Sequence, residues 1–174
     1  MNHNIILIGY MGSGKSTVAK ELYIKTGMEV LDTDALIVEE QGKSINGIFQ
    51  TDGEDAFRKL ETELLWRLSE KTSAYILSTG GGMPVREENR KILKKIGTVF
   101  FLKAGTDTIL ERVKGDQQRP LLQGTDQRTK ISRMLAERTP AYESAADHIV
   151  ETDDRTAEEV AEEILRLRIK DQRE

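Results

Sequence analysis

The stretch Gly9–Thr17, with the sequence GYMGSGKST, constrains the fold more than any other part of the chain. It fits the pattern G-x-x-x-x-G-K-[ST], and the short apolar run Asn4–Ile8 precedes it. From Thr17 onward, apolar side chains recur at helical spacing, so the order is strand, glycine loop and helix. That order is the context in which the pattern indicates a phosphate-binding loop, or P-loop. The alternative is an ordinary tight turn between a strand and a helix.

The residue types of this loop suit a nucleotide phosphate. Glycines let backbone N–H groups turn toward an anion, and the helix that follows directs its positive dipole end at the same point. Lys15 is predicted to reach the β- and γ-phosphates, and the hydroxyl of Ser16 is predicted to bind Mg²⁺. The candidate phosphate ligands are Gly12, Ser13, Gly14, Lys15, Ser16 and Thr17.

Length and composition exclude several classes of protein. The chain has 174 residues, which suits one domain, and its net charge of −4 disfavours a general nucleic-acid binder. It has no cysteine, so disulfides and thiolate metal sites are excluded. There is no run of 18 apolar residues, and the first residues lead straight into a strand rather than forming a signal peptide. We expect a soluble, cytoplasmic monomer with no membrane contact.

Strand and helix patterns alternate along the chain, which predicts a five-stranded parallel sheet with helices on both faces. Strands are predicted near residues 5–9, 29–32, 75–79, 98–102 and 147–151. Helices are predicted near residues 15–26, 34–41, 44–50, 54–71, 87–95, 106–113, 126–144 and 156–169. Trp66 is expected in the core with Leu64 and Leu65. Ligands of such sheets gather at the carboxyl ends of the strands.

Two aspartates, Asp32 and Asp34, follow the second predicted strand. Beside a P-loop, one of them can hold Mg²⁺ through water while the other faces an acceptor hydroxyl. The strand near 75–79 ends in Ser78 and Thr79 without an acid, so Asp32 is the candidate for the metal. The alternative is a pair of helix-capping aspartates.

Arg58 and Glu61 are three residues apart on a predicted helix, where they share a face. They are either a surface ion pair or a guanidinium oriented by Glu61 to grip a small carboxylate. Three glycines, Gly80, Gly81 and Gly82, follow the strand near 75–79. They indicate either a flexible loop or a close approach of the backbone to a ligand.

The polar segment 115–124 is bounded by glycines and carries Arg119 beside a proline. It is interpreted as a lid that brings Arg119 over the phosphates, with a disordered surface loop as the alternative. Further on, Pro140 lies inside a helical pattern and predicts a kink near 136–139. A kink there would aim Arg138 differently from its neighbours, unless Arg138 is simply solvated.

Taken together, these motifs closely resemble those of the shikimate kinase family over nearly the whole chain. The P-loop alone does not single out this family. The triple glycine with the aspartate pair and the Arg119-Pro120-Leu121-Leu122 segment is much more specific. The match also includes the stretch 57–61 and the stretch from Glu137 and Arg138 to Tyr142. The resemblance implies an α/β three-layer P-loop kinase sandwich of the nucleoside-monophosphate-kinase type. It also implies a single kinase domain over residues 1–174, with a substrate-binding region near 33–61 and a lid near 112–124.

The implied reaction is transfer of the γ-phosphoryl group of ATP to the 3-hydroxyl of shikimate, on the route to chorismate and the aromatic amino acids. The resemblance makes Lys15, Asp34 and Arg119 catalytic, with Asp34 either a true base or an orienting group. It places one Mg²⁺ with ATP, bound by Ser16 and Asp32. The implied shikimate-binding set is Asp34, Arg58, Gly80, Gly81, Gly82 and Arg138, with Glu61 orienting Arg58 and with Phe49 and Phe57 as walls. Arg112 and Arg155 resemble positions that flank the adenine, and Arg119 faces ATP.

Three other functions remain possible on the same motifs. One is another small-molecule kinase, acting on gluconate or on a nucleoside monophosphate. Another is a GTPase switch, although no aspartate in the chain has a glycine three residues later. The last is a protein that binds nucleotide without catalysis, which the intact Lys15 and Ser16 argue against.

Overall fold

A computed structural model describes residues 4–113 and 126–171 of the chain. The strands are β1 (Asn4–Ile8), β2 (Glu29–Asp32), β3 (Tyr75–Ser78), β4 (Gly97–Lys103) and β5 (His148–Glu151). The helices are α1 (Lys15–Thr26), α2 (Thr33–Gln41), α3 (Ile45–Thr51), α4 (Glu54–Ser69), α5 (Glu87–Ile96), α6 (Thr106–Val113), α7 (Gln127–Ala145) and α8 (Ala157–Asp171), with a short 3-10 helix at Met83–Val85. The predicted elements are confirmed within a few residues at each end.

The five strands form one parallel sheet in the order β2-β3-β1-β4-β5. Strand β1 is central, and Ile5 lies between Ile76 of β3 and Thr98 of β4. Asp32 at the end of β2 is in register with Ser78 at the end of β3. The segments that follow β1, β2 and β3 therefore leave the sheet side by side.

Helices cover both faces of the sheet, as the alternating pattern predicts. Ile5 and Leu7 of β1 pack in a core with α1 and α8, whereas Ile6 and Ile8 pack in the other core with α4, α5 and α7. All four side chains have no exposed surface. Because side chains alternate across a strand, one apolar run supplies both cores. The predicted three-layer α/β sandwich is confirmed.

Trp66 is the exception among the predicted core residues. Leu64 and Leu65 are buried as expected, but Trp66 is 46% exposed, and the prediction that it lies in the core is wrong. The buried stripe of α4 contains Phe57, Leu64, Leu65 and Leu68, and Trp66 projects outside it. Lys95 of α5 lies 5.7 Å from the Trp66 ring, so a cation covers part of the exposed indole.

The helices carry charged residues on the faces that do not meet the sheet. Helix α5 buries Ile92, Leu93 and Ile96, while Glu87 and Lys91 pair with each other in solvent. Over residues 4–113 and 126–171, no helix is both long enough and apolar enough to cross a lipid bilayer.

Candidate active site

The P-loop connects β1 to α1 in the conformation that an anion site requires. Gly12 and Gly14 have φ angles of +75° and +98°, which side chains with a Cβ rarely adopt. Gly14 is also the N-cap of α1, and no side chain caps this helix terminus. The first N–H groups of α1 are therefore available to a phosphate at the positive end of the helix dipole.

Lys15 lies folded over the P-loop. Its Nζ donates hydrogen bonds to the carbonyl oxygens of Gly9 and Tyr10, at 2.8 and 3.0 Å. Ser16 and Thr17 are exposed in the first turn of α1. The ammonium group and the Ser16 hydroxyl are thus presented at the same end of the sheet.

The three glycines after β3, Gly80, Gly81 and Gly82, lie between the P-loop and the predicted acceptor-binding residues, and we call this segment the glycine junction. A Cβ added to Gly80 would lie 2.6 Å from Asp34 Oδ1 and 3.1 Å from Glu61 Oε1. A Cβ added to Gly82 would lie 2.6 Å from Cζ of Arg58. The glycines therefore reserve the space that these acidic and guanidinium groups occupy.

Gly81, the middle glycine, faces the P-loop and α7. A Cβ on Gly81 would lie 3.5 Å from the carbonyl oxygen of Gly9 and 3.7 Å from Nη1 of Arg138. The glycine segment thus brings the phosphate-binding loop against the predicted acceptor-binding groups, including Arg138. This agrees with the close backbone approach predicted for the triple glycine, rather than with an independent flexible loop.

Arg58 and Glu61 form a buried ion pair rather than a surface pair. Nη1 of Arg58 donates to Oε2 of Glu61 at 2.8 Å, and Nη2 donates to Oε1 of Glu54 at 3.2 Å. The Glu61 side chain has no exposed surface, whereas the Arg58 side chain is 15% exposed and the Glu54 side chain is 66% exposed. The guanidinium is held from two sides, which restrains the orientation of its plane.

Burial raises the pKa of Glu61 from the ordinary value to about 7. Arg58 opposes this effect by favouring the charged form, and the negative charge of Asp34 adds to it. The ionisation of Glu61 is therefore sensitive to changes of charge nearby at pH values around neutral.

Arg138 is positioned by α7 and by two tyrosines. Its Cζ lies 5.7 Å from the ring of Tyr10, the residue that follows Gly9 in the P-loop. Tyr142, one turn further along α7, donates from its hydroxyl to the carbonyl of Gly81 at 2.6 Å. Burial raises the pKa of Tyr142 to about 12, so the phenol keeps the proton that it donates.

Thr33 links the aspartate pair to the glycine junction. Its buried hydroxyl accepts from the N–H of Gly80 at 2.9 Å. Asp32 caps α2, since its Oδ1 accepts from the N–H of Ala35 at 3.0 Å. The structure thus shows the capping alternative for Asp32, and the metal role stays a prediction.

Sequence reasoning named neither Thr33 nor Tyr142 as part of the site. Each is a neutral hydroxyl whose partner is 47 or 61 residues away in the chain. No local pattern signals such a contact. The sequence gives one indirect signal for each residue: Thr33 lies between two candidate aspartates, and Tyr142 lies four residues after the candidate Arg138.

Phe49 and Phe57 lie together beside Arg58. Their ring centroids are 5.0 Å apart, and Cζ of Arg58 is 5.4 Å from the Phe57 ring. Phe57 is 4% exposed, and Phe49 is partly buried against the same core. The two rings form an apolar surface next to the guanidinium, and their role as walls of a substrate site stays a prediction.

The predicted adenine-flanking arginines lie in different surroundings. Arg112 donates to the carbonyl of Gly12 at 3.2 Å and to the carbonyl of Thr152 at 2.9 Å, so it lies against the P-loop. Arg155 pairs with Glu163 of α8 and donates to the carbonyl of Glu159. Arg119 and nearly all of the predicted lid lie outside the described residues.

Comparison with known proteins identifies the family that shares these features. The family model described as shikimate kinase matches residues 11–168. A shikimate kinase of Caldicellulosiruptor bescii is 40% identical over 166 residues, which cover 95% of each chain. The chain belongs to the shikimate kinase family.

Solved structures agree with this assignment to the shikimate kinase family. The structure of shikimate kinase from Acinetobacter baumannii in complex with shikimate is similar with a TM-score of 0.90 and 37% identity, covering 97% of this chain and 93% of the other. A gluconokinase from Sinorhizobium meliloti is similar with a TM-score of 0.60 and 14% identity, covering 97% of this chain and 93% of the other. The second likeness shows the fold alone. The likeness to the shikimate kinase structure confirms the predicted P-loop kinase sandwich.

Proposed function

We propose that this chain transfers the γ-phosphoryl group of ATP to the 3-hydroxyl of shikimate, giving shikimate 3-phosphate and ADP. The single observation that supports this most is the glycine junction, where Gly81 faces both the P-loop and Arg138 while Gly80 and Gly82 face Asp34 and Arg58. The P-loop and a cluster of acid and guanidinium groups are thereby adjacent. Membership of the shikimate kinase family supports shikimate as the acceptor.

The nucleotide side of the proposed reaction rests on the P-loop. The backbone N–H groups at the start of α1 and the Lys15 ammonium group hold the phosphates. The donor set suits a magnesium ion that arrives with ATP, because Mg²⁺ prefers hard oxygen ligands and keeps phosphate oxygens and waters. Ser16 would bind it directly and Asp32 through its water shell, and the ion would neutralise charge on the phosphates.

The acceptor side of the proposed reaction rests on two guanidinium groups and one carboxylate. Arg58, with its plane fixed by Glu54 and Glu61, and Arg138, fixed against Tyr10, bind the carboxylate of shikimate. Asp34 orients the 3-hydroxyl and accepts its proton. Because the phosphoryl transition state is loose, catalysis consists mainly of positioning and of charge neutralisation.

The remaining expectations belong to the same proposal. Arg119 closes over ATP with a lid near 112–124, and Arg112 and Arg155 flank the adenine. Residues 1–174 form a single kinase domain whose substrate-binding region lies near 33–61. The enzyme works as a cytoplasmic monomer without a nucleic-acid or membrane partner.

An acceptor assay tests the proposed function. Release of ADP from ATP and Mg²⁺ is measured with shikimate, gluconate, AMP or CMP as the acceptor. We expect turnover with shikimate alone, and formation of shikimate 3-phosphate confirms the transferred group. Robust turnover with a different acceptor, and none with shikimate, would refute the proposal.

Replacement of Gly82 by alanine tests how the glycine junction positions Arg58. Gly82 has a φ angle of −89°, so its backbone suits alanine, but the new Cβ would occupy the space of the Arg58 guanidinium. The Arg58 side chain is flexible enough to move, although the move disturbs its ion pair with Glu61. We expect a folded protein with a modest loss of thermal stability and with KM for shikimate raised about tenfold to a hundredfold, since displacing a binding group by about 1 Å can weaken binding by this factor.

A double variant provides the control for Gly82→Ala. If the alanine acts by displacing Arg58, combining it with Arg58→Ala adds nothing to the effect of Arg58→Ala alone. Additive effects of the two substitutions on KM would show that Gly82 acts independently of this guanidinium.

A further inference from the structure

Glu61 holds a carboxylate oxygen that the proposed mechanism does not use. Oε2 accepts from Arg58, but Oε1 is fully buried and has no hydrogen-bond partner among residues 4–113 and 126–171. A buried charged oxygen that no protein donor contacts is costly, because burial removes it from bulk solvent. Protonation removes that cost.

The charged groups around Glu61 have opposing effects on its ionisation. On α4, Arg58 stabilises the Glu61 carboxylate, while Glu54 competes for the same guanidinium. On α2, Asp34 approaches the same side of Gly80 and opposes ionisation. Arg86, after the 3-10 helix, favours the charged form. Arg138 on α7 reaches the neighbouring Gly81, and Tyr142 on the same helix is neutral below a pKa of about 12.

Binding of a carboxylate to Arg58 upsets this balance. The ligand brings a further negative charge to the guanidinium that stabilises ionised Glu61, and it displaces water from the pocket. Both effects favour the neutral form of a buried acid. With a pKa of about 7 before binding, Glu61 is ionised in a large fraction of the molecules at neutral pH, and these can accept a proton.

We infer that Glu61 is a proton-binding site coupled to the acceptor: when the shikimate carboxylate pairs with Arg58, Glu61 takes up a proton from solvent on Oε1. An O–H bond forms on Glu61, the buffer loses one proton, and no other bond changes. The inference rests on the proposed function, because it requires shikimate to bind at Arg58. Glu61 is a positioning residue. When it is protonated, it still contacts the Arg58 guanidinium but no longer neutralises its charge, which is then available to the shikimate carboxylate.

Proton uptake by Glu61 on binding determines whether shikimate affinity rises or falls with pH. Since binding consumes protons, shikimate affinity falls as pH rises through the range above the pKa of unliganded Glu61, about 7. If binding raises that pKa by one unit or more, affinity falls about threefold to tenfold between pH 7 and pH 8.5. A Glu61 that serves only as a permanently charged anchor gives an affinity that is constant over this range.

Isothermal titration calorimetry of shikimate with the intact chain tests the inference. Titrations at pH 7.5 in phosphate, MOPS and Tris buffers, which differ in ionisation enthalpy, give the number of protons taken up from the slope of observed against ionisation enthalpy. We expect uptake of roughly 0.3–0.7 proton per shikimate for the unmodified protein. A slope of zero in the unmodified protein would overturn the inference whatever the variants do.

Two substitutions on α4 assign the proton. Glu61→Gln is expected to abolish the uptake, whereas Glu63→Gln, which makes the same change at an exposed position of the same helix, is expected to keep it. Uptake that persists in Glu61→Gln but disappears in Asp34→Asn would place the proton on Asp34 and overturn the inference. Absence of any shikimate binding would also refute the proposed function, whereas binding without uptake would refute the inference alone.

Discussion

Asp34→Asn is expected to abolish measurable phosphorylation of shikimate while ATP still binds. Removal of a positioned proton acceptor costs about two to four orders of magnitude in kcat. Asp34 lies in the first turn of α2, and its Oδ1 faces Gly80 on the acceptor side of the glycine junction. Asparagine has nearly the same size but does not accept the hydroxyl proton, so the loss falls on the chemical step.

Single-turnover kinetics with shikimate, together with ATP titration, separate the possible outcomes of this substitution. Asp55→Asn provides the control, because it makes the same change in the first turn of α4 at a side chain that is 97% exposed. We expect Asp55→Asn to behave like the unmodified protein. Loss of ATP affinity in Asp34→Asn, to the same degree as the loss of rate, would contradict the placement of Asp34 on the acceptor side.

Arg58→Ala is expected to weaken shikimate binding by roughly 2–4 kcal/mol, the usual loss for a buried charge pair. That corresponds to an increase of about 30-fold to 700-fold in Kd. The substitution also leaves Glu61 buried without its cation, so the pKa of Glu61 rises further above 7. Part of the loss is therefore reorganisation of the pocket, and Arg58→Lys separates the charge from the planar fork.

Equilibrium binding of shikimate and thermal unfolding check this prediction together. Arg67→Ala is the matched control, because Arg67 lies on the same helix, is 51% exposed and pairs only with Glu40 among the ion pairs of the described residues. We expect its shikimate affinity to be unchanged. An unchanged affinity in Arg58→Ala would remove Arg58 from the acceptor site.

Local sequence patterns predict the strands, helices and loops of the fold well, whereas the roles of the candidate site residues stay predictions. The P-loop, the apolar run of β1 and the capping pair of α8 are short-range features, and each depends on residues within a few positions of one another. Thr156 and Glu159 show this, since Thr156 N–H donates to Glu159 Oε2 at 2.8 Å and Glu159 N–H donates to Thr156 Oγ1 at 3.2 Å, which is the reciprocal bonding of a capping box. Such contacts form wherever the local spacing allows them.

The burial of individual side chains depends on long-range packing, which local sequence patterns do not predict. Trp66 was expected in the core because of its apolar size, but its position on α4 relative to the sheet leaves it half exposed. Glu61 shows the reverse, since an ordinarily charged and exposed residue type has no exposed surface here and pairs with Arg58. Burial of each side chain depends on how α4 is rotated against β1 and β3, which no short segment encodes.

The surroundings of Trp66 have a practical consequence. The chain contains a single tryptophan, and it lies on the helix that carries both Arg58 and Glu61. Its indole is half open to water and next to the ammonium group of Lys95. Fluorescence from this one indole therefore monitors α4 specifically, which gives the protein an intrinsic optical probe for titrations without an attached dye.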